Sequence, residues 1–116
     1  MSHTDFEIGE VNSPDELEAT FQLEKSVFGP FGTDNPPEII KLQQQTYPDG
    51  FIVARVGGAI VGYCSSEKWN DFRSPKMGED PRETHSQEGR VFCITTMVVR
   101  DDLRGLGIGT AMLEYL

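Results

Sequence analysis

The run Arg104-Gly105-Leu106-Gly107-Ile108-Gly109, a few residues after the apolar stretch Val91 to Val99, narrows what this chain can fold into more than any other segment. Three alternate glycines between two apolar segments read as a strand, a tight turn and a helix start. A helix start presents backbone N–H groups without intrahelical acceptors, and these suit a phosphate. Glycine tolerates positive φ at such a turn and lets the main chain approach a ligand where a Cβ would intrude. Arg104 adds a guanidinium with its fixed fork of donors. Ile108, Met112, Leu113 and Leu116 follow at spacings that put them on one helical face, so the turn is expected to be anchored on a core. The expected occupant is an oxygen-rich anion.

Two other phosphate-binding patterns fit poorly. A dinucleotide fingerprint counted from Gly105 and Gly107 needs a third glycine where Thr110 stands, and an acidic residue roughly 20 positions later, past the last residue. A Walker loop needs lysine before Ser or Thr, and no lysine follows Gly109. A glycine-rich connection without a ligand is the remaining alternative.

The 116 residues suffice for one core, so a single domain over 1–116 is expected. No apolar run approaches a membrane span, and the first residues do not read as a signal peptide. With 19 acidic against 10 basic residues the net charge is −9, and no basic stripe is present to replace the counterions of a nucleic acid or an anionic membrane. Neither is an expected partner. A negative field suits a cationic amine, although a merely soluble acidic surface accounts for it equally. Cys64 and Cys93 form no C-x-x-C pair and lie in apolar runs, which points to buried free thiols in a reducing, cytoplasmic compartment. A catalytic thiol at Cys93 is the alternative, but no base for it is identifiable.

Further signals order the rest of the chain. Ser13-Pro14-Asp15-Glu16 carries a capping serine, a first-turn proline and a glutamate at the capping-box position. The helix it starts has Leu17, Ala19, Phe21, Leu23, Val27 and Phe28 on a broad apolar face, and Gly29-Pro30 is expected to stop it. A second helix is expected over 36–45, capped by Asp34 or Asn35, with Ile39, Ile40 and Leu42 inward. Tyr47-Pro48-Asp49-Gly50 reads as a turn. Segments 51–56 and 59–65 are rich in β-branched residues, and the Gly57-Gly58 pair between them signals a two-residue hairpin. The polar stretch 66–89, with Pro75 and Pro81, is expected to be a long loop. Its Trp69 and Phe72 make it more than a linker, either a binding loop or aromatics folded back on a sheet edge.

The pattern Arg104, Gly107, Gly109 resembles the acetyl-CoA signature of the GNAT superfamily of N-acetyltransferases: Arg or Gln, two residues, Gly, one residue, Gly or Ala. Segments 51–65 (FIVARVGGAIVGYCS) and 6–28 are similar, more weakly, to that family's second and third strands and to its first strand and helix. The resemblance implies an α/β (α+β) fold with a mixed, mainly antiparallel sheet flanked by helices. The implied element order is strand, helix, helix, strand, strand, long loop, strand, helix. It implies acetyl-CoA as cosubstrate, no metal, and direct attack of a primary amine of a small molecule or protein on the thioester. The pyrophosphate would lie on the N–H groups of Gly105, Leu106, Gly107, Ile108, Gly109 and Thr110 with Arg104 at the rim, and the pantetheine along Met97, Val98 and Val99. An interruption in strand pairing at one of those last three would aim an N–H at the thioester carbonyl.

The proton acceptor does not carry over. The arylalkylamine branch, which also has a long insertion before this strand, relays the proton through histidines where Cys93 and Thr95 stand here. A carboxylate near the strand start is the substitute, with Glu88 the first candidate and His85 the second; a solvated loop residue is the alternative reading of each. In the family a further strand, helix and hairpin follow, with a tyrosine that often protonates the leaving thiolate. The sequence stops within the signature helix, so the fold is expected to be truncated there, and Tyr115 is not that tyrosine by position. An N-acetyltransferase is the first expectation. The others are a noncatalytic acyl-CoA-binding or regulatory module, and an incomplete fragment that folds by association. An open sheet edge would favour homo-oligomerisation.

Overall fold

The computed structural model describes residues 5–72 and 79–116. They form strand β1 (Glu7–Glu10), helices α1 (Pro14–Phe28) and α2 (Pro37–Thr46), strands β2 (Ile52–Val56) and β3 (Ala59–Trp69), the one-turn helix α3 (Pro81–Thr84), strand β4 (Val91–Val99) and helix α4 (Ile108–Tyr115). All four strands pair antiparallel in the order β1-β2-β3-β4, which leaves β4 at an edge of the sheet among the described residues. This is the expected fold class and order of elements, with α3 added.

Alternation along β2 builds an apolar layer on each face of the sheet. Phe51 and Val53 join Leu23, Val27, Ile40, Tyr63 and Val98 under α1 and α2. Ile52 and Ala54 join Val61, Cys64, Ile108 and Met112 under α4. Full burial of a side chain such as Ile108 or Met112 is worth about 1.5–3 kcal/mol, so these two residues anchor α4. Leu116 packs at the margin of the same layer, but Leu113 is half exposed: the inward stripe is Ile108, Met112, Leu116, and a residue one step past Met112 is rotated out of it.

The cap of α1 is as expected on the serine side, with Ser13 Oγ accepting the Glu16 N–H at 3.2 Å. The glutamate does not complete the box. Glu16 Oε1 accepts from Asn12 N–H at 3.0 Å, and its two oxygens grip Arg55 on β2, at 2.5 Å to Nε and 2.7 Å to Nη2. That grip holds the Glu16 carboxyl below its ordinary range. After Phe28 the chain tightens into a 3-10 turn, Gly29–Phe31. The N-cap of α2 is Pro36, without a side-chain hydrogen bond, rather than Asp34 or Asn35. Gly57 and Gly58 take φ +58° and +84°, as a tight hairpin requires.

The loop expected over 66–89 is shorter than its polarity implied. Ser66–Trp69 continue β3, with Lys68 opposite Phe92 and Trp69 opposite Val91. Polar residues are tolerated there because each finds a partner. Ser66 Oγ donates to the Gly50 carbonyl at 2.8 Å, Trp69 Nε1 donates to Glu67 at 2.9 Å, and the Thr84 hydroxyl also donates to Glu67. Trp69 is thus buried in the sheet, Phe72 is exposed, and Pro75 lies outside the described residues.

Candidate functional site

The exposed edge of β4 offers main-chain groups. Arg100 N–H donates to the Val61 carbonyl at 2.8 Å, so by strand alternation Val98 turns its N–H and C=O toward β3, and Met97 and Val99 turn theirs outward. Arg104 Nε, 3.5 Å from the Val99 oxygen, lies on that outer side. Of the three residues expected along a ligand, two therefore present their backbone to the open side of β4. The pairing irregularity stands elsewhere than expected. Ser65 faces Thr96 and Ser66 faces Ile94, so Thr95 is the extra residue and Met97, Val98 and Val99 are regularly paired.

Beyond β4 the chain passes through the 3-10 turn Asp101–Leu103 and reaches Gly105 and Gly107 at φ +83° and +85°. A Cβ at either would meet nothing within 4 Å, so the dihedral, not crowding, demands glycine in the free protein. Gly109 has a different role: a Cβ there would lie 3.4 Å from Met97 Sδ, where α4 starts close over β4. Gly107 caps α4 without a side chain, and Ala111 N–H makes the bond back to its carbonyl at 2.9 Å. The N–H groups of Ile108, Gly109 and Thr110 precede that first helical bond and remain for a ligand.

These parts enclose a cleft of about 570 Å³, within the range of small-molecule sites. Of the ten expected contact residues, Met97, Val98, Val99, Arg104, Gly105, Gly107, Ile108, Gly109 and Thr110 line it, and Leu106 does not. Val27 and Phe28 of α1 and Leu103 complete an apolar wall that the sequence reading did not assign to the site. Arg104 is at the rim with its Nη2 2.9 Å from Asp101 Oδ1, so an incoming anion competes with that carboxylate. Backbone donors at one end and apolar wall along the rest suit an elongated ligand with an anionic head. Coenzyme A, with a pyrophosphate at one end and a long arm, has that form.

The expected proton acceptors are not on this cleft. Glu88 is exposed in a turn before β4. His85 Nδ1 accepts the Lys68 N–H at 3.1 Å, beside the Phe92 end of β4 and about 16 Å along the strand from Met97. Burial holds the His85 pKa below its ordinary value. Nearer the cleft stand groups the sequence reading missed. Thr95 and Ser65 share a hydroxyl hydrogen bond of 2.6 Å at the bulge. Glu24 of α1, almost fully buried, accepts from the Tyr63 hydroxyl and from Asn35 N–H at 2.8 Å, and Asn35 Nδ2 reaches Thr96 at 3.5 Å. The helical spacing of Thr20, Glu24 and Val27 could have placed Glu24 inward. Burial, with Glu24 beside it, raises the Tyr63 pKa far above the phenol range. Burial also pushes the Cys64 thiol up to about 12, which makes it inert.

The chain matches the model of the acetyltransferase (GNAT) family over residues 17–116. It is 30% identical over 105 residues to an uncharacterized N-acetyltransferase of Methanocaldococcus jannaschii, covering 90% of this chain and 53% of that protein. Among solved structures it is similar to the GphF GNAT-like decarboxylase in complex with isobutyryl-CoA, with a TM-score of 0.80 at 20% identity over 94% of this chain and 56% of that one. It is also similar to the diaminobutyrate acetyltransferase EctA of Paenibacillus lautus, in complex with L-2,4-diaminobutyric acid and coenzyme A. There the TM-score is 0.63 at 23% identity, covering 96% of this chain and 55% of that one. The two structural likenesses are likenesses of fold, and the chain spans about half the length of each of these relatives.

Proposed function

The chain belongs to the GNAT acetyltransferase family, and from that premise we propose that it is an N-acetyltransferase domain carrying an acetyl group from acetyl-CoA to a primary amine. One observation supports this reading above others: the left-handed Gly105 and Gly107, the free N–H groups opening α4 and the outward backbone of Met97 and Val99 all border one cleft. Acetyl-CoA supplies the activated thioester. The chain's part is to hold the pyrophosphate on α4, with Arg104 exchanging Asp101 for a phosphate oxygen, and to keep water from the pantetheine with Val27, Phe28 and Leu103. An N–H of Met97 or Val99 is the donor suited to a thioester carbonyl lying along the edge. The amine attacks directly, and its identity follows from groups outside this cleft.

Binding of acetyl-CoA measured by calorimetry, followed by thiol release with a panel of primary amines, tests the reading. We expect binding and amine-dependent release of free CoA thiol. A chain that binds no acetyl-CoA overturns the assignment of the cleft. The second reading, a noncatalytic acyl-CoA-binding module, is favoured by the position of Glu88 and His85 away from the cleft. Tight binding without thiol release under any amine selects it.

A further inference from the structure

We propose that His85 is an acid-released latch, which holds the segment 84–89 against the free edge of β3 and frees it when the imidazole takes up a proton. The pairing of β2 with β3 ends at Ile52 opposite Cys64, so past that point one edge of β3 has no strand beside it among the described residues. At Lys68 that edge is covered on both of its main-chain groups. His85 Nδ1 accepts the Lys68 N–H at 3.1 Å, and Ser86 N–H donates to the Lys68 carbonyl at 2.7 Å. Neighbouring contacts bring the segment close: Thr84 donates to Glu67, and Gly89 lies so near Trp69 that a Cβ would fall 2.7 Å from its backbone. The ring itself is set by stacking on Tyr47, with centroids 4.7 Å apart and planes 24° apart.

This arrangement works for one protonation state only. To accept from Lys68, Nδ1 must be bare, which leaves the proton on Nε2; the imidazolium has a proton on each nitrogen and accepts nothing. Protonation therefore turns an N–H···N bond into two donors facing each other. The neutral ring's Nε2 is buried without a hydrogen-bond partner among the described residues, as is Oε1 of Gln43 in the last turn of α2. Around the ring, Glu67 of β3 favours the charged form, whereas Lys68 of β3 opposes it, with its Nζ 5.5 Å from the Tyr47 ring centre. Tyr47, just past the end of α2, presents an uncharged ring, and Glu83 of α3 and Glu88 of the segment are exposed. Burial outweighs these charges and keeps the folded pKa below the ordinary one. The contact is therefore complete above the unfolded value and is lost as pH falls through the lower, folded value. Nothing in this rests on the proposed transferase activity.

The test is an NMR titration of the His85 ring in the full chain, with hydrogen exchange at Lys68 and Ser86, from about pH 7.5 to about pH 5. The expected midpoint is lower than that of the same residue in the urea-unfolded chain. Protection of both amides, corrected for intrinsic exchange, should fall about tenfold through that midpoint, as loss of one buried hydrogen bond implies, while the Val53 and Tyr63 amides keep theirs. His85→Phe keeps a ring for Tyr47 and removes the acceptor, so Lys68 protection should already be low at neutral pH and insensitive to acid. A ring that titrates at or above its unfolded value, amide protection that does not follow the ring, or a folded His85→Phe with undiminished Lys68 protection overturns the proposal. If His85→Phe does not fold, the wild-type titration decides alone.

Discussion

Gly107 shows how one residue divides between folding and binding. Its φ of +85° is a conformation that Asn and Asp adopt more readily than other side chains, and no atom lies within 4 Å of where a Cβ would stand. Gly107→Asp and Gly107→Asn are thus expected to cost similar, modest stability, about 1 kcal/mol. They should differ in binding. The aspartate sets a like charge where we propose the pyrophosphate lies, so its CoA affinity should fall about a hundredfold, which is roughly 2.7 kcal/mol, with the asparagine much nearer to wild type. Calorimetric titration of both variants checks this, and equal losses would show that shape rather than charge matters. Arg55 is a second informative residue. Its guanidinium is bidentate to Glu16 and also donates to the Glu10 carbonyl at 2.7 Å, while both partners of the pair are largely buried. Arg55→Met leaves a buried carboxylate without its cation and should cost about 3 kcal/mol in urea unfolding near neutral pH. Because Glu16 is held below its ordinary pKa, the wild-type advantage is full above about pH 4.5 and should fade as pH drops through the lower folded value.

At the scale of elements, β3 and β4 meet where both apolar layers and the cleft meet. A Cβ on Gly62 would come within 2.9 Å of the Val98 carbonyl and 3.4 Å of Met112 Cε. Gly62→Ala must therefore push β4 or α4 away, and a loss of about 1–3 kcal/mol in thermal or urea unfolding is expected; a neutral effect would mean that the two strands separate freely here. The same elements explain what could be read from sequence. The strand Val91–Val99, the hairpin at Gly57-Gly58 and the turn through Gly107 were legible because each is fixed by local chemistry: β-branched runs, paired glycines, positive φ. The far half of β3 was not, since Ser66, Glu67 and Lys68 are polar and become strand only because Gly50, Thr84 and His85 supply partners distant in sequence. The bulge at Thr95 and the burial of Glu24 are likewise products of tertiary pairing. The cleft's backbone side was legible for the same local reasons, and its α1 wall was hidden because nothing local ties Val27 and Phe28 to residues seventy positions on.

For the molecule as a whole, β4 leaves an edge open among the described residues, and Leu106, Leu113 and Tyr115 add exposed apolar surface from the turn and helix that follow it. Such an edge pairs readily. The isolated chain should therefore sediment with a mass that rises with concentration despite its net charge of −9; a single monomeric mass at all concentrations would remove self-pairing from consideration. The double duty of α4 has a further consequence. The residues that close the layer under α4, Ile108 and Met112, are one or five positions from Gly107, so the proposed cradle cannot form unless the core beneath it forms as well. A molecule held only by the folded chain draws the folding equilibrium toward itself, by about 2.7 kcal/mol when its free concentration is a hundred times its dissociation constant. The melting temperature should climb with CoA concentration accordingly. In a cell, where unfolded chains are degraded, the metabolic supply of the ligand would then govern not only how fast this protein works but how much of it survives.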